Sequence, residues 1–255
     1  MKIPKKVIDR LPQSLKHFSK VAEDQKLRDV AEADTVTLVK DIMADCFGYD
    51  KYLELTSEQQ IRGTFCDLAV KIDNKIKYLV EVKAAGIDLN ESHIRQAVNY
   101  GANEGIEWIV LTNSIEWRLY RLKFTQPIDF EEVTAFSITN LNLRNQDDLA
   151  KVFLLCKEGI SSDAMDTFHQ TAQILNKYTI AQVVQSEAVT GIVRREFRRL
   201  FPEIKIDLPE ISELLQEEVL KREVVDGEKA TDAASKVKKA YKRVARELAK
   251  KKASE

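Results

Sequence analysis

Two short apolar runs flanking a turn signal constrain this chain more than any other feature. Thr64–Ile72 and residues 76–83 have the length and apolar character of strands, and Asp73-Asn74-Lys75 between them are turn residues. A three-residue loop there pairs Ile72 with Ile76, so Leu68 faces Val80 and Asp67 faces Glu81. Lys83 stands two residues beyond Glu81 and points to the same face. Two carboxylates and an ammonium therefore converge on a hairpin that is otherwise apolar (Phe65, Leu68, Val70, Leu79, Val80, Val82). Like charges directly opposed destabilise a sheet. A divalent cation such as Mg²⁺, which takes carboxylate oxygens and keeps several waters, removes that conflict. The plainer reading is a buried ion pair between Lys83 and one carboxylate, which leaves the second carboxylate unexplained.

The flanking pattern predicts an α/β half. Val36, Val39, Met43 and Phe47 recur at helical spacing and Gly48 follows as a stop. Residues 92–103 read as a helix, 108–111 as an apolar strand ended by Thr112-Asn113-Ser114, and 117–122 as another strand. The order is helix, hairpin, helix, strand, strand, as in a mixed sheet with helices packed on it. Residues 1–28 are polar with scattered apolar positions (Val7, Ile8, Leu11, Leu15, Phe18) and are expected to be partly helical. Past about residue 140 the strands stop, and residues 147–157, 163–177, 180–200 and 209–225 read as helices. A boundary near 140 thus separates an α/β domain (1–140) from an α-helical domain with a basic tail (141–255).

Composition narrows the class. With 44% apolar residues and a net charge of −1, the chain can bury a core and is not disordered. No apolar run approaches the ~18 residues of a membrane span, and MKIPKKVIDRLPQ has no apolar segment behind its basic residues, so neither a membrane anchor nor a signal peptide is expected. Cys46, Cys66 and Cys156 are far apart and odd in number, which excludes a disulfide framework or paired-cysteine zinc site and predicts a reducing, cytoplasmic setting. His17, His93 and His169 show no metal-ligand spacing.

The Asp on one strand followed by Glu-x-Lys on the next, here FCDLAV then VEVKA, resembles the PD-(D/E)xK nuclease core, with Cys66 where the family name has Pro. More specifically, EADTVTLVKDIMADCFGYD, TFCDLAV, YLVEVKA, RQAVNYG and WIVLTNSIEWRLY, in that order, resemble the N-terminal nuclease domain of type I restriction enzyme R subunits and their stand-alone relatives. The resemblance implies a restriction-endonuclease-like αβββαβ core and Mg²⁺- or Mn²⁺-dependent endonuclease activity on DNA in restriction-modification or phage defence. It implies that Asp67, Glu81 and the Val82 carbonyl hold the metal and that Lys83 orients water or stabilises phosphate charge. It also implies a site role for Glu32, at the start of the first long helix, although an acid there is also favoured by the helix dipole. Gln96 and Tyr100 reproduce its QxxxY motif. Four apart on one helix face, they are positioned to hold a phosphate or the attacking water, or else to be a solvent-facing Gln beside a core Tyr. No GxxxxGK[ST] occurs in the 255 residues, so no ATP site and no helicase motor is expected.

The helical half supplies charge. Lys236 to Glu255 holds nine Lys/Arg against two Asp/Glu, a tail of +7 on a remainder of −8. Lys238, Lys239, Lys242 and Arg243 there, and the cluster Arg194, Arg195, Arg198 and Arg199, are candidate DNA-phosphate contacts. The competing readings are a solubilising tail and pairing of the arginines with Glu196 or Glu203. The tail also sets Val237, Tyr241, Val244 and Leu248 on one face. Many apolar residues at helical spacing between Ile174 and Val225 predict a homodimer, and the resemblance admits other restriction or defence subunits as partners. Two further functions stay open: an inert DNA-binding or assembly module that keeps the nuclease fold, and a repair or resolvase-type nuclease acting on DNA structure.

Overall fold

The computed structural model describes residues 2–61 and 64–253. The side chains of residues 58–61, 64, 65, 248 and 251–253 lie outside the described set. The chain divides into two compact units after Thr167. In the first, α1 (Lys5–Leu27) and α2 (Glu32–Asp45) precede β1 (Leu55–Ile61), β2 (Thr64–Ile72) and β3 (Lys75–Val82). Next come α3 (Arg95–Glu104), β4 (Trp108–Thr112), β5 (Glu116–Lys123), β6 (Asp129–Ser137), α4 (Gln146–Leu155) and α5 (Lys157–Ser161). From α2 to β4 the order is the expected αβββαβ. The six described strands form one sheet in sequence order, mixed because β3 and β4 run parallel across the α3 crossover while their neighbours are antiparallel.

Each face of the sheet is covered. Ala97 and Tyr100 of α3 pack with Ala69, Leu79, Ile109 and Leu111. Strand alternation sends Leu68, Val80 and Trp117 to the opposite face, where the Phe47 ring meets Trp117 edge-on at 5.0 Å. The first 28 residues are more regular than expected: α1 buries Val7, Leu11, Leu15, Phe18 and Ala22 along one stripe, while Ile8 is exposed.

The hairpin reaches its expected register by another route. The turn between β2 and β3 has two residues, Asp73 and Asn74, both left-handed at φ +50° and +61°, as the hairpin twist favours. Pairing begins Ile72↔Lys75 and Lys71↔Ile76, then shifts between Val70 and Lys71, leaving Lys77 as the extra residue of a bulge. Beyond it Val70 faces Tyr78 and Leu68 faces Val80. The three-residue loop expected from sequence is corrected to two, and the bulge restores the missing residue.

The compact units divide well past the end of the strands because α4 and α5 are tied to α1 and α2. Tyr49 Oη donates to the Leu155 carbonyl at 2.9 Å and Lys157 N to the Phe47 carbonyl at 2.9 Å. Arg10 grips Glu158 with both guanidinium nitrogens (3.0 and 2.9 Å) while its Nε donates to the Cys46 carbonyl. Gly48, at φ +84°, leaves room for that guanidinium; an added Cβ would lie 2.7 Å from Nη1. Burial alone would raise the Glu158 carboxyl, but its hydrogen bonds from Arg10 and Lys6 pull it down to about 2. An acid lowered by folding stabilises above its ordinary pKa near 4.5 and loses that contribution as pH falls through about 2. Glu158→Gln should therefore cost on the order of 2 kcal/mol at pH 7 and flatten the acid limb of a urea-denaturation curve between pH 4.5 and 2. An unaltered acid limb would show that this pair does not clamp the helices.

In the second unit the division falls inside α6 (Ala164–Ile174). It is followed by α7 (Lys177–Val184), α8 (Glu187–Leu200), α9 (Leu208–Leu214), α10 (Arg222–Val225) and α11 (Glu228–Ala253). A π turn at Leu215–Val219 extends α9. The single helix expected over 180–200 is broken at Gln185-Ser186, and that over 209–225 at Leu220 and Lys221, which are extended. Among the described residues no helix is long and apolar enough to cross a membrane. The three cysteines are buried and unpaired.

Candidate active site

The site forms where the β2–β3 ladder ends. The last paired residues are Leu68 and Val80, and the next outward-pointing donor of β3, the Val82 N–H, meets Asp67 Oδ2 at 2.7 Å in place of a β2 carbonyl. In an extended strand a residue's C=O leaves on the same side as its N–H, so the Val82 carbonyl also points toward Asp67. Glu81 shares its face with Leu79 and is buried, 4% exposed. Lys83 Nζ donates to Glu81 Oε1 at 2.8 Å and lies 3.5 Å from Glu32 Oε2. Glu32 opens α2 in its first turn and is half exposed. Glu32 thus sits at a helix N-terminus and also reaches the strand lysine.

Two hydrogen bonds hold this arrangement from either side. Lys83 N donates to the Thr112 carbonyl at 2.8 Å, fixing the exit of β3 to β4. Ala85 N donates to Thr35 Oγ1 at 3.1 Å, pinning the chain just past Lys83 to the first turn of α2. Thr35 is fully buried and Asn113, which donates to the Ile87 carbonyl at 2.9 Å, is nearly so. Sequence reasoning passed over both. The signal for Asn113 was its place in Thr-Asn-Ser, where an Asn side chain caps its own turn by accepting from Ile115 N and Glu116 N.

Electrostatics sharpen the picture. Burial first, then the neighbouring Asp67 charge, pushes the Glu81 carboxyl up to about 7, against the lowering effect of Lys83. Burial alone would lower the Lys83 ammonium, but its bond to Glu81 and the charges of Glu81, Glu32 and Asp67 raise it above its ordinary value. The group therefore holds more negative charge than it neutralises. Among the described residues no set of three or more His, Cys, Asp or Glu side chains is arranged as a metal cage. The donors on offer are two carboxylates and a main-chain carbonyl, a hard-oxygen set that suits Mg²⁺ with its waters.

The remaining candidates separate. Gln96 is exposed on the second residue of α3 and shares no hydrogen bond with the carboxylates among the described residues. Tyr100 is fully buried in the core beneath α3 and its hydroxyl has no partner there, so the core reading applies to it and it offers no surface to DNA. His93 completes a capping box with Asn90 ahead of α3. Trp108 and Trp117 are core residues. On α8, Arg195 and Arg198 are exposed, Arg194 is half-buried, and Arg199 is engaged by Glu196. On α11, Lys238, Lys239 and Lys242 are exposed and Arg243 lies 3.9 Å from Glu247.

Residues 42–136 match the type I restriction enzyme R protein N terminus. The matched stretch runs from the end of α2 through β6, and so includes the Asp67, Glu81 and Lys83 constellation and the whole sheet. Glu32 precedes the R protein match, and the helical unit follows it. No curated protein and no solved structure matches the chain.

Proposed function

We propose that this protein is a Mg²⁺- or Mn²⁺-dependent endonuclease that hydrolyses DNA phosphodiester bonds, acting in restriction or phage defence. The observation that carries the reading is the buried Glu81 at the end of the hairpin ladder beside Asp67, with an ammonium 2.8 Å away. An acid pair with that much unrelieved charge is costly in a fold without a cation and useful in one that takes one up. Asp67, Glu81 and the Val82 carbonyl would hold the metal, which when bound lowers the pKa of a coordinated water and polarises a phosphoryl oxygen. Lys83 stands by to neutralise charge developing on the phosphate. Glu32 steers the Lys83 ammonium from the helix side, and Gln96 is free to meet backbone or water from α3. The match to the R protein N terminus supports the restriction setting. Incubation with supercoiled, linear and single-stranded DNA, with Mg²⁺, Mn²⁺ or EDTA, tests this. Metal-dependent cutting is expected, and intact DNA in every arm would leave an inert module that keeps the nuclease fold. Cutting confined to branched substrates would favour the repair-type reading.

DNA contact through the second unit makes a separate prediction. Each phosphate-contacting cation contributes about 0.9 to the slope of log affinity against log salt. Arg195→Gln with Arg198→Gln, and separately Lys238→Gln with Lys242→Gln, should each reduce that slope by up to ~1.8. Arg199→Gln should change it less, because Glu196 already holds that guanidinium. Neutralisation is a cleaner test than truncation, since α11 buries Ala230 and Ala233 in the helical unit. An unchanged slope in both pairs would leave these residues as a solvated face.

A further inference from the structure

The helical unit carries an open groove of about 620 Å³ between α11 and the α6–α7 segment. Its floor is apolar: Ile174, Val183, Val237 and Val244, with Tyr241 anchored by a 2.9 Å hydrogen bond to Ser186 Oγ. Its rim is cationic, formed by Lys236, Lys239 and Arg243. The groove exists because the helices differ in length. At about 1.5 Å per residue, α7 is too short to cover α11; the small Ala230 and Ala233 are buried at the start of α11, and farther along Tyr241 and Val244 are nearly half exposed.

The same unit exposes two apolar ridges that differ in charge. On α8 and just beyond, Phe197, Leu200 and Phe201 are exposed among Arg194, Arg195, Arg198 and Arg199, and a cationic groove repels them. On α9 and its π turn, Leu214 (54% exposed) and Val219 (66% exposed) stand among Glu210, Glu213, Glu217 and Glu218, of which Glu217 is held by Arg222 at 3.2 Å. Apolar floor against apolar crest and cationic rim against acidic flank are complementary. We infer that the α11 groove of one copy receives the acidic α9 ridge of a second copy, joining the chains through their helical units. This goes beyond the nuclease reading and does not depend on it. Two reciprocal contacts of this kind close a symmetric pair.

A charge swap tests it on the full chain. The groove variant is Lys239→Glu with Arg243→Glu, and the ridge variant is Glu213→Lys with Glu218→Lys. All four positions are exposed, so each variant should fold, which circular dichroism melting verifies. In light scattering across a concentration range, the wild-type mass should rise above 29.2 kDa. Either variant alone should weaken association by ~100-fold or more, because like charges then face each other. Mixing the two should restore it, since the acidic groove then meets a basic ridge and the intact groove an intact ridge. A wild-type mass fixed at that of one chain, variants that associate as well as wild type, or a mixture that stays monomeric would each overturn the inference. So would a groove variant that loses DNA affinity with its mass unchanged, which would make the rim a nucleic-acid surface.

Discussion

Glu81→Gln should abolish metal-dependent cleavage and at the same time make the protein harder to unfold in EDTA at pH 8. Folding raises this carboxyl from 4.5 to about 7. Below pH 4.5 it is protonated in both states and contributes nothing. Between 4.5 and 7 the unfolded chain ionises while the folded one keeps its proton, so stability falls as pH rises; above 7 the full penalty applies. The penalty is about 3 kcal/mol, a large share of the stability of an ordinary domain. Glutamine retains an acceptor for Lys83 and carries no charge against Asp67. Wild type should recover the difference on addition of Mg²⁺, and the glutamine variant should not respond. A variant that melts below wild type in EDTA, or that still cuts DNA, would contradict the assigned role of Glu81.

Lys83→Met should separate binding from chemistry. Removing one preorganised charge that stabilises a transition state costs about 10²–10³ in rate. The carboxylates remain, and the loss of a neighbouring cation should leave Mg²⁺ affinity equal or tighter by calorimetry. Asp67→Ala should do the reverse, removing the heat of Mg²⁺ binding together with cleavage. If Lys83→Met eliminates metal binding too, the lysine is a structural partner of Glu81, which is the plainer reading of their 2.8 Å contact.

The hairpin and its charged residues were legible because period-two alternation specifies a face, and one residue of slip would have reversed every side chain. The two outer strands were not. β1, LTSEQQI, has little apolar alternation, and β6, DFEEVTAFS, is at most half-buried along its length. Both are edge strands, and edges are built polar to discourage pairing with other chains, which erases the signal that marks a strand. Glu32 was ambiguous for another reason. Its approach to Lys83 depends on how α2 meets the end of β3, a tertiary relation fixed by Thr35 and Ala85 and absent from local spacing. Tyr100 shows the converse: the motif is written in the sequence, but burial beneath α3 is a property of the packed sheet.

The bulge at Lys77 separates two parts of the hairpin that would otherwise be rigidly coupled. Between it and the carboxylates lie the paired residues Val70↔Tyr78 to Leu68↔Val80, clamped on both sides by neighbouring strands; on its far side lies the Asp73-Asn74 tip. The tip is consequently a place where the gene can be edited without disturbing the chemistry. A fluorophore, an affinity handle or a small inserted domain at Asp73-Asn74 would be carried at the far end of β3 from Lys83, with the bulge and the paired residues Val70↔Tyr78 to Leu68↔Val80 between it and Asp67. The hairpin tip thus offers an attachment point at which the protein can be tracked or tethered while the Asp67, Glu81 and Lys83 cluster is left intact.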